Sequence, residues 1–350
     1  MVSFADEIDT SILNGTNIAY EDITLKNITD DILSGNWKLD VSDIISSMLS
    51  LLFSAIKANY KFICMAFVVA LVSSLLLNLK TSQSSEVYEG GFYATYLVFA
   101  MLCVNSIKIT FDYADYIVSQ LNVFVATVIP IVLSFTAASG AFASSAALNP
   151  LIIGISQFIT FAVINWLLPI LNVLIVLIIV NNLSYQADLT GVINILLKSV
   201  KWIIGLMLIT FVGIMTIQSM VTPALDSVAG RATKYAIANF IPVVGGIISD
   251  SVSVVAGYSS ALKGAVGGAG ICIGVLMCVK PLAEIGAISI LFNVCSALTR
   301  TVSDRRYGDL LSGFGQVVST LLVLVIMIML MFVISVTIAV TVGGYSGGSL

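Results

Sequence analysis

Long apolar runs, separated by short polar segments, make up most of the chain after about residue 60. Several runs reach the ~18–20 apolar residues that a helix needs to cross the hydrocarbon core of a bilayer. The pattern predicts an all-α, polytopic integral membrane protein with about 7–8 transmembrane helices and some broken or re-entrant helical segments. The predicted spans are 61–79, 92–110, 117–138, 150–168, 170–183, 202–221, 265–298 and 316–342.

Proline interrupts two of the longest apolar runs. Pro169 lies in the middle of the run 148–183, and Pro281 lies inside the run 265–298. Proline removes a backbone donor and disfavours helical geometry at the residue before it. Each run is therefore predicted either to cross once as a kinked helix or to fold back as a tight hairpin.

The chain divides into a polar, acidic N-terminal region at 1–59, a multipass transmembrane domain at 60–342 and a Gly/Ser-rich tail at 343–350. The N-terminal region ends in a predicted amphipathic helix, because apolar residues recur there at three- and four-residue spacing. This helix is expected either to lie on the membrane surface or a partner, or simply to lead into the first span. Its apolar positions are Val41, Ile44, Ile45, Met48, Leu49, Leu52 and Ile56.

Composition supports the membrane prediction and excludes several classes of function. The chain is 59% hydrophobic and only 10% charged, whereas soluble domains carry roughly 25% charged residues. It has no histidine, and its five cysteines lie in apolar segments, where cysteine behaves as a small buried hydrophobe. The sequence has no nucleophile–base constellation, phosphate-binding loop or basic stripe for nucleic acid. We expect a lipid bilayer as partner, and neither enzyme activity, a metal, a cofactor nor a nucleic acid.

The stretch NFIPVVGGIISD (239–250) is apolar, yet it contains a proline and a glycine pair. Irregular backbone at membrane depth survives only when it is buried in protein or faces a water-filled cavity. We therefore predict a re-entrant or kinked element at a subunit contact or pore. The alternative is an interfacial helix-turn-helix with snorkelling cations. The candidate functional residues are Arg231, Lys234, Asn239, Pro242, Gly245, Gly246, Asp250, Lys263 and Pro281.

Small and ionisable residues near the spans give further expectations. Gly264, Gly267, Gly270 and Gly274 recur at roughly helical spacing, which predicts close packing of helices. Lys280 and Glu284 are predicted either to pair and line a polar path or to sit at a membrane boundary where the helix breaks at Pro281. The carboxylates of Asp188 and Asp226 flank predicted spans and are expected to be solvated.

The positive-inside rule does not fix the orientation, since both sides of the predicted topology receive equal numbers of lysines and arginines. The basic cluster TRTVSDRR (299–306) favours a cytoplasmic loop. The start MVSFADEIDT has no basic n-region and no apolar h-region. Insertion is therefore expected through the first internal helix, unless a natural leader precedes this chain.

Several blocks of the sequence resemble the stage III sporulation protein AE family of endospore-forming Firmicutes. They are DILSGNWKLDVSDII (31–45), GAFASSAALNPLI (140–152), the stretch 217–270, and Pro281. The block NFIPVVGG, with Arg231 and Lys234 upstream, is the most specific part. The resemblance covers nearly the whole chain.

The resemblance implies a non-enzymatic, multipass subunit of the mother cell–forespore channel, or feeding tube, needed for endospore development. It implies a place in the mother-cell membrane surrounding the forespore. The implied partners are other stage III sporulation membrane subunits, an associated ATPase and ring-forming proteins. Family members usually begin with a signal peptide, which would leave the N-terminus in the intermembrane space and the loop at 299–315 in the mother-cell cytoplasm.

Two features depart from this family pattern: the missing signal peptide, and the charged residues around Pro281 where a more apolar lead-in is expected. Two other functions stay open. One is a stand-alone secondary transporter of a small solute, with broken helices at its substrate site. The other is a membrane scaffold that anchors the ring proteins.

Overall fold

The computed structural model describes residues 85–183, 188–240 and 245–342, together with Ser50, 52–57 and scattered positions between 65 and 75. For 85–89, 223–225, 227–240, 245–256 and Val302 it describes the course of the backbone alone. Across these residues every regular element is helical. The helices are α1 (Ser85–Ala138), α2 (Phe142–Leu183), α3 (Thr190–Phe240), α4 (Gly245–Val302) and α5 (Arg305–Thr341).

All five of these helices are long and apolar enough to cross a membrane. This supports the prediction of a helical, multipass architecture, but seven spans were predicted over the same part of the chain. The difference arises because two predicted pairs of spans lie on single helices. The segment 1–49 and the tail 343–350 are outside the described residues, and so is most of the predicted span 61–79.

The predicted spans 92–110 and 117–138 lie on one helix, α1, which has 54 residues. The segment between them, FDYADY, contains charges but no glycine or proline that would end a helix. Phe111 and Ala114 are buried, while Asp112 and Asp115 are exposed. The helical period therefore continues through the charged segment, with the carboxylates on the outer face.

The predicted spans 150–168 and 170–183 also lie on one helix, so the prediction of a hairpin at Pro169 is wrong. Just before the proline, Val163–Leu167 form a π turn, and the backbone N–H of Leu168 donates to the carbonyl of Val163. A proline has no N–H, and its ring displaces the carbonyl four residues earlier. The wider turn accommodates this disruption and lets the helix continue. Pro281 likewise lies inside α4, which is uninterrupted around it.

Helix α5 is the centre of the bundle. It packs against α1, α3, α4 and the second half of α2, and most of its side chains are buried. The predicted close packing of small residues is confirmed at three positions. Gly267 faces Val340, Gly270 faces Val128 and Gly274 faces the ring of Phe332. Gly264, by contrast, has open space around it.

The end of the predicted amphipathic helix is helical at 52–57. Its Leu52 side chain lies against Gly286 of α4, and Ala55 is buried. This element therefore packs on the bundle in the second half of α4, near Gly286.

Candidate functional site

The predicted break in NFIPVVGGIISD falls between two long helices. Helix α3 ends at Phe240 and α4 begins at Gly245, so Arg231, Lys234 and Asn239 lie on the last turns of α3. The prolyl residue Pro242 is outside the described residues.

On the other side of the break, Gly245, Gly246 and Asp250 lie on the first turns of α4. The side chains on both sides are not described. Residues 241–244, on which the predicted break falls, are outside the described residues, so the re-entrant or kinked element stays a prediction.

Asp226, on α3, is a buried carboxylate at the end of the bundle from which the broken segment continues. The backbone N–H of Ser144 donates to one of its oxygens at 3.1 Å, and the Ser144 hydroxyl donates to the other. The expectation of a solvated Asp226 is therefore wrong. The first backbone N–H groups of a helix have no partner inside the helix, and a carboxylate both satisfies one and interacts favourably with the helix dipole. Asp226 thus caps α2 from a neighbouring helix.

Lys263, a predicted functional residue, ties α4 to the end of α5. Its side chain is 2% exposed, and its ammonium group donates to the carbonyl of Val342 at 2.9 Å. A cation is favourable at a helix C-terminus, where the last carbonyls lack partners. On the same end, the Thr136 hydroxyl donates to the carbonyl of Ala339 at 3.3 Å. At this end of the bundle, Asp226 thus binds the N-terminus of α2 and Lys263 binds the C-terminus of α5. We call this end the polar end (Ser144, Asp226, Lys263 and Val342).

The residues around Pro281 do not form the predicted charge pair. Lys280 is exposed, and within the described residues no ion pair joins it to Glu284. Glu284 is half-buried. Because α4 is continuous here, the alternative of a helix that breaks at Pro281 is also wrong.

Charged side chains of three helices lie at one level, about halfway along the bundle. The contact of Gly270 with Val128 sets the level of α4 against α1. A hydrogen bond of 3.0 Å from Asn122 to Gln157 fixes α2 against α1. The contacts of α2 with α3 at both ends fix α3 in turn. The charged girdle defined in this way consists of Lys108, Asp112 and Asp115 on α1, Lys198 and Lys201 on α3, and Lys280 and Glu284 on α4.

Large aromatic side chains accompany the charged girdle. Trp166 on α2 is 54% exposed and Trp202 on α3 is 80% exposed. Exposed Trp, Tyr and Lys side chains are typical of a membrane–water interface. An exposed lysine or aspartate in the middle of hydrocarbon costs about 2.5–3.5 kcal/mol on insertion scales. We therefore expect the girdle to lie at a membrane surface and not at the level of the lipid chains.

The bundle extends well beyond the charged girdle on both sides. Helix α1 has 54 residues, which corresponds to about 81 Å of helix, against a hydrocarbon thickness of about 30 Å. Apolar side chains are exposed on both sides of the girdle, for example Leu97 and Val123 of α1. If the girdle lies at one surface of a bilayer, that bilayer covers the apolar side chains on one side of the girdle only. The apolar side chains on the other side of the girdle then lie outside that bilayer.

The opposite end of the bundle is a tight hairpin between α4 and α5. Asp304 caps α5 by accepting from the backbone N–H of Arg306 at 3.1 Å, and Arg300 pairs with Asp309 at 2.8 Å. The Arg306 guanidinium lies 4.7 Å from the ring centroid of Phe92. The basic cluster at 299–306 is thus an ordered helix connection.

One small cavity lies between α1, α2 and α5. A cavity of about 20 Å³ is lined by Asn122, Ser156 and Thr160 together with apolar side chains, and a cavity of this size accommodates about one water molecule. The side-chain oxygen of Asn122 is buried without a hydrogen-bond partner. Within the described residues, no group of cysteines or carboxylates is arranged to hold a metal ion.

Sequence reasoning missed the two features that depend on contacts between helices. Nothing in the sequence pairs Asp226 with Ser144, because the two residues are far apart in the chain. The charged girdle had a local signal in the segment KSVKW (198–202), which places two lysines and a tryptophan beside an apolar run.

Comparison with known proteins gives one consistent result. A family model described as "Stage III sporulation protein AE" matches residues 23–343. The stage III sporulation protein AE of Bacillus subtilis (strain 168) is 23% identical over 269 residues, which cover 77% of this chain and 67% of that protein. No solved structure matches.

Proposed function

This chain belongs to the stage III sporulation protein AE family, and from that premise we propose that it is a non-enzymatic membrane subunit of the mother cell–forespore channel. It lies in the mother-cell membrane around the forespore and is needed for endospore development. Its partners are other stage III sporulation membrane subunits, an ATPase and ring-forming proteins. The observation that carries the proposal is the family match across nearly all of the chain.

The packing of the bundle supports a subunit rather than a transporter that acts alone. Small-molecule sites usually occupy about 300–1,000 Å³, whereas the cavity beside Asn122 measures about 20 Å³. The central helix α5 fills the middle of the bundle with buried side chains. A conduit through the assembly therefore runs between this chain and its neighbours, not through the described interior.

The interruption between Phe240 and Gly245 supports a specialised role for the broken segment. Both flanking helices exceed 50 residues, and the segment between them belongs to NFIPVVGG, the most specific part of the family resemblance. In the proposed channel this segment contacts partner subunits or lines the conduit.

A complementation experiment tests the broken segment in sporulating cells. The double variant Pro242→Ala with Gly245→Ala is expected to reach the membrane at normal levels and to arrest forespore development after engulfment. The matched control is Pro150→Ala with Gly154→Ala, which changes a proline and a glycine inside the continuous helix α2. No atom lies within 4 Å of a side chain added at Gly154, so the control is expected to sporulate.

Normal sporulation of the double variant would contradict the proposed role of the segment. Arrest of both variants would show that the effect is not specific to the break. Membrane levels of each variant, measured by immunoblot, separate loss of function from loss of the protein.

The scaffold alternative predicts a different response at the same segment. A chain that only anchors ring proteins should tolerate alanine at Arg231, Asn239 and Asp250. A conduit or coupling element should not, because polar groups there would contact the transported solute or a moving partner. Forespore reporter expression in these three variants distinguishes the two functions.

A further inference from the structure

Two outer faces of the bundle carry complementary charge at the level of the charged girdle. Helix α1 packs against α2, α4 and α5, whereas α3 packs mainly against α2 and α5. The helices α1 and α3 therefore lie on opposite sides of the central helix α5. Their outward faces cannot contact each other within one molecule.

The outward face of α1 is acidic at this level, and the outward face of α3 is basic. The acidic face is formed by Asp112 and Asp115, with Lys108 one turn below. The basic face is formed by Lys198 and Lys201 and carries no carboxylate nearby. All five side chains are exposed, and none has an ion-pair partner within the described residues.

The two faces lie at the same height along the bundle. The hydrogen bonds that join α1 to α2 and α2 to α3 place Lys201 within about one turn of the level of Asp112. Two parallel copies side by side in a membrane would thus bring the acidic face of one level with the basic face of the next.

Apolar surface surrounds the charges on both faces. Trp202, beside the lysines, is 80% exposed, and Ile209 on the same helix is 72% exposed. On α1, Met101 is 76% exposed and Val123 is 60% exposed. With a bilayer that meets the girdle at its surface, the apolar surface on the other side of the girdle is available to a protein partner. Exposed aromatic side chains such as Trp202 are typical of the central positions of protein interfaces.

We propose that copies of this chain associate head-to-tail in the membrane, with the acidic face of α1 against the basic face of α3 of the next copy. Such a contact joins two different surfaces, and its repetition closes into a ring when each contact adds a rotation about the membrane normal. Anionic lipid headgroups would satisfy the lysines but repel Asp112 and Asp115, whereas a second copy satisfies both. Exposed ion pairs contribute little by themselves, so the charges set the register and the apolar surface supplies most of the affinity.

The proposed ring follows from the charges and the exposed surfaces alone. Only the use of its centre as a conduit rests on the proposed function. A ring is also consistent with a filled bundle interior, because the space enclosed by several copies needs no cavity inside any one of them.

Cysteine crosslinking in membranes from sporulating cells tests the head-to-tail contact. The five native cysteines are replaced by alanine, and two differently tagged full-length chains are co-expressed. One carries Ser119→Cys on the acidic face, and the other carries Gly205→Cys on the basic face, where an added side chain meets no atom within 4 Å. A short bismaleimide is expected to join the two tags, and neither single-cysteine chain should crosslink to itself. A chain carrying both cysteines should give a ladder of oligomers.

Charge reversal makes the test specific. Asp112→Lys with Asp115→Lys should lower the crosslink yield about tenfold, because like charges then face each other. Adding Lys198→Asp with Lys201→Asp to the other tagged chain should restore the yield. The matched control Lys280→Asp alters a girdle residue on neither face and should leave the yield unchanged.

Three results would overturn the ring. Homodimers from either single cysteine, without the mixed product, would indicate a two-fold contact. A lack of crosslinks, with the chain present at normal levels, would indicate that lipid or other subunits cover these faces. An unchanged crosslink yield after charge reversal would show that the charges do not set the contact. The crosslink is read without reference to sporulation, so it can succeed or fail independently of the proposed function.

Discussion

The replacement of Gly274 by alanine tests the close packing of α4 on α5. Built on the backbone of Gly274, a methyl group would overlap the ring of Phe332, with the nearest ring atoms Cε1 and Cζ. The ring is 2% exposed and lies 5.5 Å from the ring of Phe124, centroid to centroid. It therefore has little freedom to move away, and the added methyl group forces the helices apart.

The expected magnitude follows from two opposing terms. Inserting a methyl group into a well-packed core typically costs about 1–3 kcal/mol. Alanine is favoured over glycine inside a helix by about 1 kcal/mol, which offsets part of that cost. Gly264→Ala is the matched control, because it changes the same helix and meets no atom within 4 Å. The propensity gain is common to both variants, so their difference isolates the steric cost.

The free energy of unfolding of each full-length variant can be measured in mixed micelles by titration with dodecyl sulfate. Gly274→Ala is expected to be about 1–3 kcal/mol less stable than Gly264→Ala. Phe332→Leu in the Gly274→Ala background should recover part of the loss, with a coupling of at least about 0.5 kcal/mol. Equal stability of the two alanine variants, or zero coupling with Phe332→Leu, would refute the packing argument.

Three further predictions concern charged side chains. Lys263→Met should destabilise the protein by about 1–3 kcal/mol, because it leaves the carbonyl at the end of α5 without its partner. Lys280→Met on the same helix is the control and should be nearly neutral. Dodecyl sulfate titration measures the free energy of unfolding of both variants. Asp226→Ala should cost about 1–2 kcal/mol through loss of the cap on α2, and Ser144→Ala in that background should add little. Hydrogen bonds from the Thr190 hydroxyl and backbone N–H hold the pKa of Asp188 below its usual 3.8. Wild type should therefore be more stable than Asp188→Ala above pH 4, and this difference should vanish as the pH falls through the lowered pKa. Equal stability of the two proteins at neutral pH would contradict this.

The sequence by itself determined the class of the fold. Apolar runs of bilayer length admit few structures other than helices, because every backbone donor and acceptor in hydrocarbon needs a partner within the element. Such features depend on residues close together in the chain, and local patterns report them well.

Only the tertiary structure decided where the helices run through and which polar groups meet. The sequence pattern predicts a break at Pro169, but a π turn lets α2 continue through it. The charged segment at 111–116 is predicted to separate two spans, yet its carboxylates face outward from one continuous helix. Asp226 is predicted to be solvated, yet it is buried against Ser144. The physical reasons differ. A helix continues through a proline or a charged segment when its backbone groups and side chains are satisfied nearby or by solvent, whereas the partner of a buried charge lies on another part of the chain, and a linear pattern does not contain that contact.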